Sequence, residues 1–323
     1  MRVPGLKFVR SAVRWSSLGL QRHALVLGYH RIAAEASDPH NLCVTPQHLV
    51  EQLEVLKSVA SPITLEQLVS SLGREAPPRR GVVITFDDGY LDNLTTALPV
   101  LRRFEVPATV FVATGWMGRE FWWDTLTRMI QSQDRLGRPL EVSIDDKRLR
   151  WHPRESGLEQ AKRDLIRAAG DFMRKLSPTD QTKALGVVRD WCDFQDGDDP
   201  QVRGMTWEEV SRLASDDLIE IGSHTISHPM LRESTIEEQR YEITASKMEL
   251  EKALGRPVKS FCYPNGSFSK DTPRIVQEAR YDCACTTVSG PAVRRSNPYL
   301  LPRLWVPDIP GERFRRWLKR RLW

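Results

Sequence analysis

The 323-residue chain contains no apolar run near the ~20 residues that cross a bilayer, which excludes a long membrane-spanning helix. Its opening stretch, MRVPGLKFVRSAVRWSSLGLQRH, is basic but lacks the apolar core and small-residue cleavage site of a secretory signal, so export by that route is not expected. Cysteine is scarce and odd in number: Cys43, Cys192, Cys262, Cys283 and Cys285. Scattered in this way they exclude a dense disulfide framework and imply reduced thiols and a cytoplasmic location. Cys283 and Cys285 alternate along a predicted strand, which makes them small core residues more readily than a metal pair. No low-complexity tract is present, and 40% hydrophobic with 28% charged residues is the make-up of a globular chain with a sizeable core. Histidine is absent after His228.

Acids are lacking at both ends. Residues 1–22 hold five cations and no acid, and residues 311–323 hold six cations against Glu312. With a net charge of +5 for the whole chain, residues 23–310 carry a formal −5. The excess positive charge therefore lies in a basic N-terminal segment, 1–22, and in a predicted basic C-terminal helix, 309–323. In that helix Phe314, Trp317, Leu318 and Leu322 fall on one side with arginines around them, a pattern that suits an anionic membrane surface. A nucleic-acid partner is not expected.

Between these ends short apolar segments alternate with helical ones. Strands are predicted at 24–30, 81–86, 107–114, 218–224, 258–264, 281–287 and 301–306. Helices are predicted at 45–60, 90–104, 206–215, 235–254 and 271–279. The rhythm breaks over 120–204, a polar stretch with one clear helix at 157–176, which reads as an insertion within a body spanning 23–308. Parallel strands joined by helices of this length imply α/β architecture, here a distorted (β/α) barrel with a partly helical insertion. Such barrels gather their chemistry at the C-terminal strand ends. The polar clusters fall there: Tyr29-His30, Asp87-Asp88-Gly89, His224 with His228, and Pro264-Asn265-Gly266.

Two histidines and one carboxylate form a common facial set for a zinc-like metal that leaves positions open for water and substrate. Asp87 or Asp88 would supply the carboxylate, and the other would remain free to take a proton. Taken singly, each piece has an ordinary explanation. Asp-Asp-Gly is a turn sequence, His-x-x-x-His is often incidental, and Trp122-Trp123-Asp124 is the packed start of a helix. Their joint placement at strand ends is what points to a site.

TFDDG (85–89), GSHTISHPML (222–231) and FCYPNG (261–266) resemble the first three motifs of the polysaccharide deacetylases, the NodB-homology carbohydrate esterases. GYH (28–30), PVLRRFEVPATVFVATG (99–115), MTWEEVSRLA (205–214) and LPRLWV (301–306) match the same family's style. The resemblance implies metal-dependent removal of an N-acyl group, usually acetyl, from an amino sugar. It implies Asp87 as general base, and Asp88, His224 and His228 as ligands of a divalent ion, zinc or else cobalt, nickel or iron. Asn265 would offer its backbone N–H to the developing oxyanion. FCYPNG lacks the arginine that begins the usual third motif, and Arg303 is the candidate substitute. The usual late histidine is missing. Poly-N-acetylglucosamine deacetylases share YPxG and an early histidine, which assigns the acid role to His30. The expected substrate is an amino-sugar polymer or a lipid-linked saccharide. A deacylase or deformylase of a smaller amide, or an inactive glycan-binding homologue, is the alternative.

Overall fold

Six apolar segments, too short for stable isolated helices, form the parallel body of a nine-stranded sheet among the described residues of the computed structural model: β1 (His23–Tyr29), β2 (Gly81–Phe86), β3 (Ala108–Val112), β4 (Ile219–Ser223), β5 (Ser260–Cys262) and β6 (Cys283–Cys285). Residues 22–35, 37–73, 76–153, 157–195, 197 and 199–322 are described, so the basic segment expected over 1–22 lies, Arg22 apart, outside them. The strands lie side by side in the order β6-β5-β4-β3-β2-β1 and every neighbouring pair is parallel. The sheet curls, and the returning segment before the last helix links its two edges. Cys285 bridges Leu301, and β7 (Leu304–Trp305) then pairs in parallel with Leu27 and Gly28 of β1. Only two residues of the expected 301–306 strand are regular, because Pro302 has no N–H to give a ladder.

Alternation along β1 sorts its side chains into two layers. Leu25, Leu27 and Tyr29 join the cluster between sheet and helices, while Ala24 and Val26 join Val83, Phe111, Cys262, Cys283 and Cys285 inside the curl. Each fully buried Leu or Val contributes about 1.5–3 kcal/mol. Because both faces are covered, these strands read as continuous apolar runs. All five cysteines are unpaired thiols.

Two helical expectations change. The helix expected at 90–104 is a π-helical turn, Asn93–Ala97, followed by α-helix Leu98–Phe104. Pro99 cannot donate within a regular α-helix, and the wider turn absorbs that gap. The insertion holds more than one helix: Trp122–Gln131, Leu158–Met173 and Pro178–Cys192 flank a hairpin, Leu140–Ile144 with Lys147–Trp151. These elements close a second apolar cluster around Leu126, Leu140, Leu165 and Val188.

The C-terminal helix, Gly311–Leu322, corrects a third expectation. Phe314, Leu318 and Leu322 are buried in the main cluster with Trp317 packed against it, beside helix Pro46–Val59. The apolar face expected to meet a membrane is covered by the barrel, since a ready apolar surface of the same chain competes at far higher local concentration. Arg313, Arg316, Lys319 and Arg320 remain exposed.

Helix Trp207–Ala214 leads from the insertion back to β4, and its start is held by a capping box between Thr206 and Glu209. Arg203 also grips both oxygens of Glu209, at 2.7 and 2.8 Å. That ion pair, against a smaller opposing effect of burial, lowers the Glu209 pKa from 4.5 to about 2. A depressed folded-state value means the contribution is complete above pH 4.5 and fades as pH falls toward 2. Glu209→Gln, which keeps the cap but loses the charge, should therefore cost about 0.5–1 kcal/mol at pH 7 for this largely solvated pair. Urea titrations should show the gap to wild type narrowing between pH 4.5 and 2; a gap that widens there contradicts the assignment.

Candidate active site

Asp87 and Asp88 leave β2 in different directions, and the backbone is what separates them. Asp87 continues the inward alternation of Val83 and Thr85, its N–H bonded to the Tyr29 carbonyl at 2.9 Å. Asp88 then takes the left-handed region, φ 71°, and Gly89 follows at φ 79°. Thr225 (67°), His228 (60°) and Asn265 (54°) adopt the same region at neighbouring strand ends. Non-glycine residues, β-branched threonine above all, occupy it at a cost of roughly 1–3 kcal/mol each, and such positions cluster at functional sites.

Arg303 compensates Asp87. Its Nη1 donates to Oδ1 at 2.6 Å and its Nη2 to Oδ2 at 2.7 Å, a two-pronged contact with the arginine fully buried. Nη1 also reaches Thr85 Oγ1 at 3.1 Å, Nε reaches the Thr286 carbonyl at 3.0 Å, and Nη2 meets Cys262 Sγ at 2.9 Å. Burial works against the Asp87 charge, but the adjoining guanidinium outweighs it and holds the carboxyl below the usual range. An arginine, absent from FCYPNG, thus reaches Asp87 from the far end of the chain.

Asp88 has no such partner. Burial, then the neighbouring Asp87 charge, push its pKa well up, and its Oδ1 is buried without a hydrogen bond. That oxygen lies 3.5 Å from His224 Nε2 and 3.3 Å from His228 Nε2. His224 Nδ1 is 2.8 Å from the Cys262 carbonyl, which can only accept, so Nε2 carries the lone pair. Burial, more than any neighbouring charge, lowers both histidine pKa values and keeps the rings neutral. An orphaned carboxylate oxygen facing imidazole lone pairs fits a divalent cation, and the three donor atoms lie within 4.8 Å of one another. Asp87, His224 and Cys262 also cluster. There, however, the carboxylate is already bound by Arg303, and burial raises the thiol pKa well above its ordinary value.

The His loop is held from outside by a residue that motif reading missed. Glu242, on helix Ile236–Leu254, accepts from the N–H groups of Ile226 (2.8 Å) and Ser227 (2.9 Å) and from Ser227 Oγ (2.5 Å). Only its position one turn into a capped helix signals it. Trp123, whose ring centroid lies 4.9 Å from that of His228, donates to Tyr90 OH at 2.7 Å, and Tyr90 donates to Asp124 at 2.6 Å.

His30 stacks on Trp305, with centroids 4.5 Å apart and planes 17° apart, while Arg303 lies over the same indole at 4.8 Å. A Cβ on Gly28 would sit 2.7 Å from the Trp305 ring, so glycine is what admits this packing. Asn93 Nδ2 holds the His30 carbonyl at 2.8 Å. Burial, partly offset by Asp87, pushes the His30 pKa down to about 4.

Asn265 forms the turn after Pro264, and its N–H makes no hydrogen bond among the described residues. Gly266 follows, where a Cβ would lie 1.9 Å from Thr287 Oγ1. One cavity of about 250 Å³ unites His30, Asp87, Asp88, His224, His228 and Asn265. Its walls include Trp122, Trp123, Trp305, His40 and Arg174. His40 and Arg174 carried no local motif.

A curled parallel α/β barrel with paired aspartates, paired histidines and an arginine-braced carboxylate at one rim has the layout of a barrel amide hydrolase. The polysaccharide deacetylase family model matches residues 74–138 and 189–284, and its gap takes in the insertion's hairpin, helix Leu158–Met173 and most of helix Pro178–Cys192. The chain belongs to the polysaccharide deacetylase family. It is 23% identical over 239 residues to YxkH of Bacillus subtilis (strain 168), covering 74% of this chain and 56% of that protein. It is 29% identical over 113 residues to a poly-beta-1,6-N-acetyl-D-glucosamine N-deacetylase of Staphylococcus aureus (strain MSSA476), covering 31% and 39%. The chain thus spans about half the length, or less, of these curated relatives. In structure it resembles the Streptococcus pyogenes deacetylase PplD, with TM-score 0.59, 19% identity and coverage of 90% and 96%. It also resembles IcaB from Ammonifex degensii, with TM-score 0.59, 17% identity and coverage of 92% and 97%. At these identities the structural likeness speaks to the fold.

Removing the brace leaves Asp87 buried and charged. Arg303→Met should cost about 3–5 kcal/mol in chemical denaturation, and Asp87→Asn/Arg303→Met should recover part of it. A loss below about 1 kcal/mol for the single variant contradicts the buried ion pair.

Proposed function

We propose that the chain is a metal-dependent hydrolase that removes N-acetyl groups from amino sugars of a polysaccharide or lipid-linked saccharide. The observation that carries this reading is the division of labour between adjacent carboxylates: Asp87 is paired and ionised, Asp88 unpaired and facing two imidazoles. The relatives' name for a poly-beta-1,6-N-acetyl-D-glucosamine deacetylase supports the substrate class.

In this reading Asp88, His224 and His228 hold a divalent ion, probed first as zinc. When bound, that ion supplies Lewis acidity toward an amide carbonyl and a water. Asp87, kept ionised by Arg303, takes a proton as the water oxygen bonds to the acyl carbon. The Asn265 N–H donates to the oxygen on which negative charge develops. As the C–N bond breaks, the departing nitrogen takes a proton, leaving an amine and a carboxylic acid that releases its own proton to solvent. His30 is the donor. With a pKa near 4 it is a neutral imidazole at pH 7, so it must be loaded during the cycle, and Asp87 is the group holding the new proton. Trp305 and Gly28 set the His30 ring plane.

Acetate release from N-acetylglucosamine oligomers should require added divalent metal and vanish with chelator. Asp87→Asn and His30→Ala should each lower kcat by roughly 10²–10⁴-fold. If metal-loaded wild type releases no acetate, formate or other acid from an acylated-sugar panel, the reading fails. Turnover should hold a plateau from pH 6 to about 8; a steady fall above pH 5 would mean His30 enters as imidazolium and would sink the relay.

We also propose that the protein works at the cytoplasmic face of a membrane through charge alone, since its C-terminal apolar face is covered and its cations are exposed. Binding to anionic vesicles should appear at low salt and be lost near 0.5 M, where the screening length is only a few Å. A protein that stays in the supernatant at low salt contradicts this.

A further inference from the structure

The insertion brings one wall to the cavity, and that wall is made of donors. Arg174, which ends helix Leu158–Met173, lines the cavity with Trp122 from the insertion's first helix. The remaining groups of the cavity are already accounted for. Asp87 is bound by Arg303, Asp88 faces His224 and His228, and Asn265 and Thr287 carry no charge. Arg303 commits its donors to Asp87, Thr85, Thr286 and Cys262.

Arg174 is different. Its one ion pair among the described residues is Nη1 to Asp171 Oδ1 at 2.7 Å, an i,i+3 contact to a carboxylate that is 65% exposed. Such pairs contribute only a few tenths of a kcal/mol and do not hold a guanidinium. A cation at a helix C-terminus is ordinary, but helix stability does not require it to reach a cavity wall. A sugar hydroxyl both donates and accepts, and needs no cation. A charged, donor-only guanidinium matches an acceptor-only oxyanion.

We propose that Arg174 recognises a negatively charged oxygen group on the substrate, so that the acylated amino sugar carries a phosphate or a carboxylate near its N-acyl group. This rests on the deacylation reading above and narrows its substrate class. An anionic substituent is neutral to the hydrolysis itself, whose atoms balance as already given.

The test compares three probes on metal-loaded full-length protein: N-acetylglucosamine 1-phosphate, an N-acetylglucosamine linked to a uronic acid, and the neutral methyl glycoside of N-acetylglucosamine. The two charged probes distinguish phosphate from carboxylate. Wild type should prefer at least one of them by roughly 10- to 100-fold in kcat/KM, the range of a charge-assisted hydrogen bond. Arg174→Gln should bring that ratio to within about threefold of one, and Arg174→Lys should keep part of it. Thermal midpoints of the Arg174 variants should match wild type, because the side chain is 33% exposed and paired only within its helix. A wild-type ratio near one, or equal loss on charged and neutral probes in Arg174→Gln, overturns the inference and leaves the deacylation reading intact. Calorimetry of metal-free protein with glucosamine 1-phosphate and with the neutral methyl glucosaminide reads the same discrimination without turnover. Selective binding of the phosphate, lost in Arg174→Gln, with no acid released from any probe, would uphold anion recognition and overturn deacylation.

Discussion

Taking a guanidinium and a carboxylate out of water costs several kcal/mol for each ion, and their attraction offsets that only when geometry is good and the remaining polar atoms are satisfied. Arg303 and Asp87 meet both conditions: two short contacts join them, and Thr85, Thr286 and Cys262 occupy the other donors. The pair also joins the curled sheet's edges, since Asp87 follows β2 while Arg303 sits in the segment linking β6 to β1. Closure of the sheet and ionisation of Asp87 are therefore one constraint.

The remaining site inherits its geometry from that closure. With Asp87 fixed, left-handed backbone at Asp88 and Gly89 turns the second carboxylate toward the His loop. That loop is in turn held by Glu242 across its N–H groups. Trp305 lies between Arg303 and His30, so the element that braces the base also orients the proposed acid. Strain at Asp88, Thr225, His228 and Asn265 is tolerated because neighbouring packing over-determines each position.

Much of this was legible in the chain. The strand-helix rhythm and the placement of polar residues at strand ends follow from local patterns of two to ten residues, whereas the separate roles expected of Asp87 and Asp88 came from the family resemblance. Arg303 was reachable as a candidate because FCYPNG lacks an arginine, although nothing local to LPRLWV shows where its side chain goes. The insertion was recognised as a break in rhythm, yet its hairpin escaped: only Leu140, Val142 and Ile144 are buried along a polar, five-residue strand. The C-terminal helix was read correctly as amphipathic and given the wrong partner. A hydrophobic stripe states that something covers it, and the covering surface, helix Pro46–Val59, lies some 260 residues earlier.

Sequence by itself determined what depends on near neighbours: a parallel α/β chain, the rims where its strands end, and the residue types able to hold a cation and move a proton. Tertiary structure alone decided which distant groups meet. It brought Arg303 to Asp87 and Trp305 to His30, carried Arg174 from the insertion to the cavity, and covered the stripe of Phe314 and Leu318. The reason is physical: strand and helix periodicity act over a few residues, whereas charge compensation and burial are settled only when segments hundreds of residues apart compete for the same space.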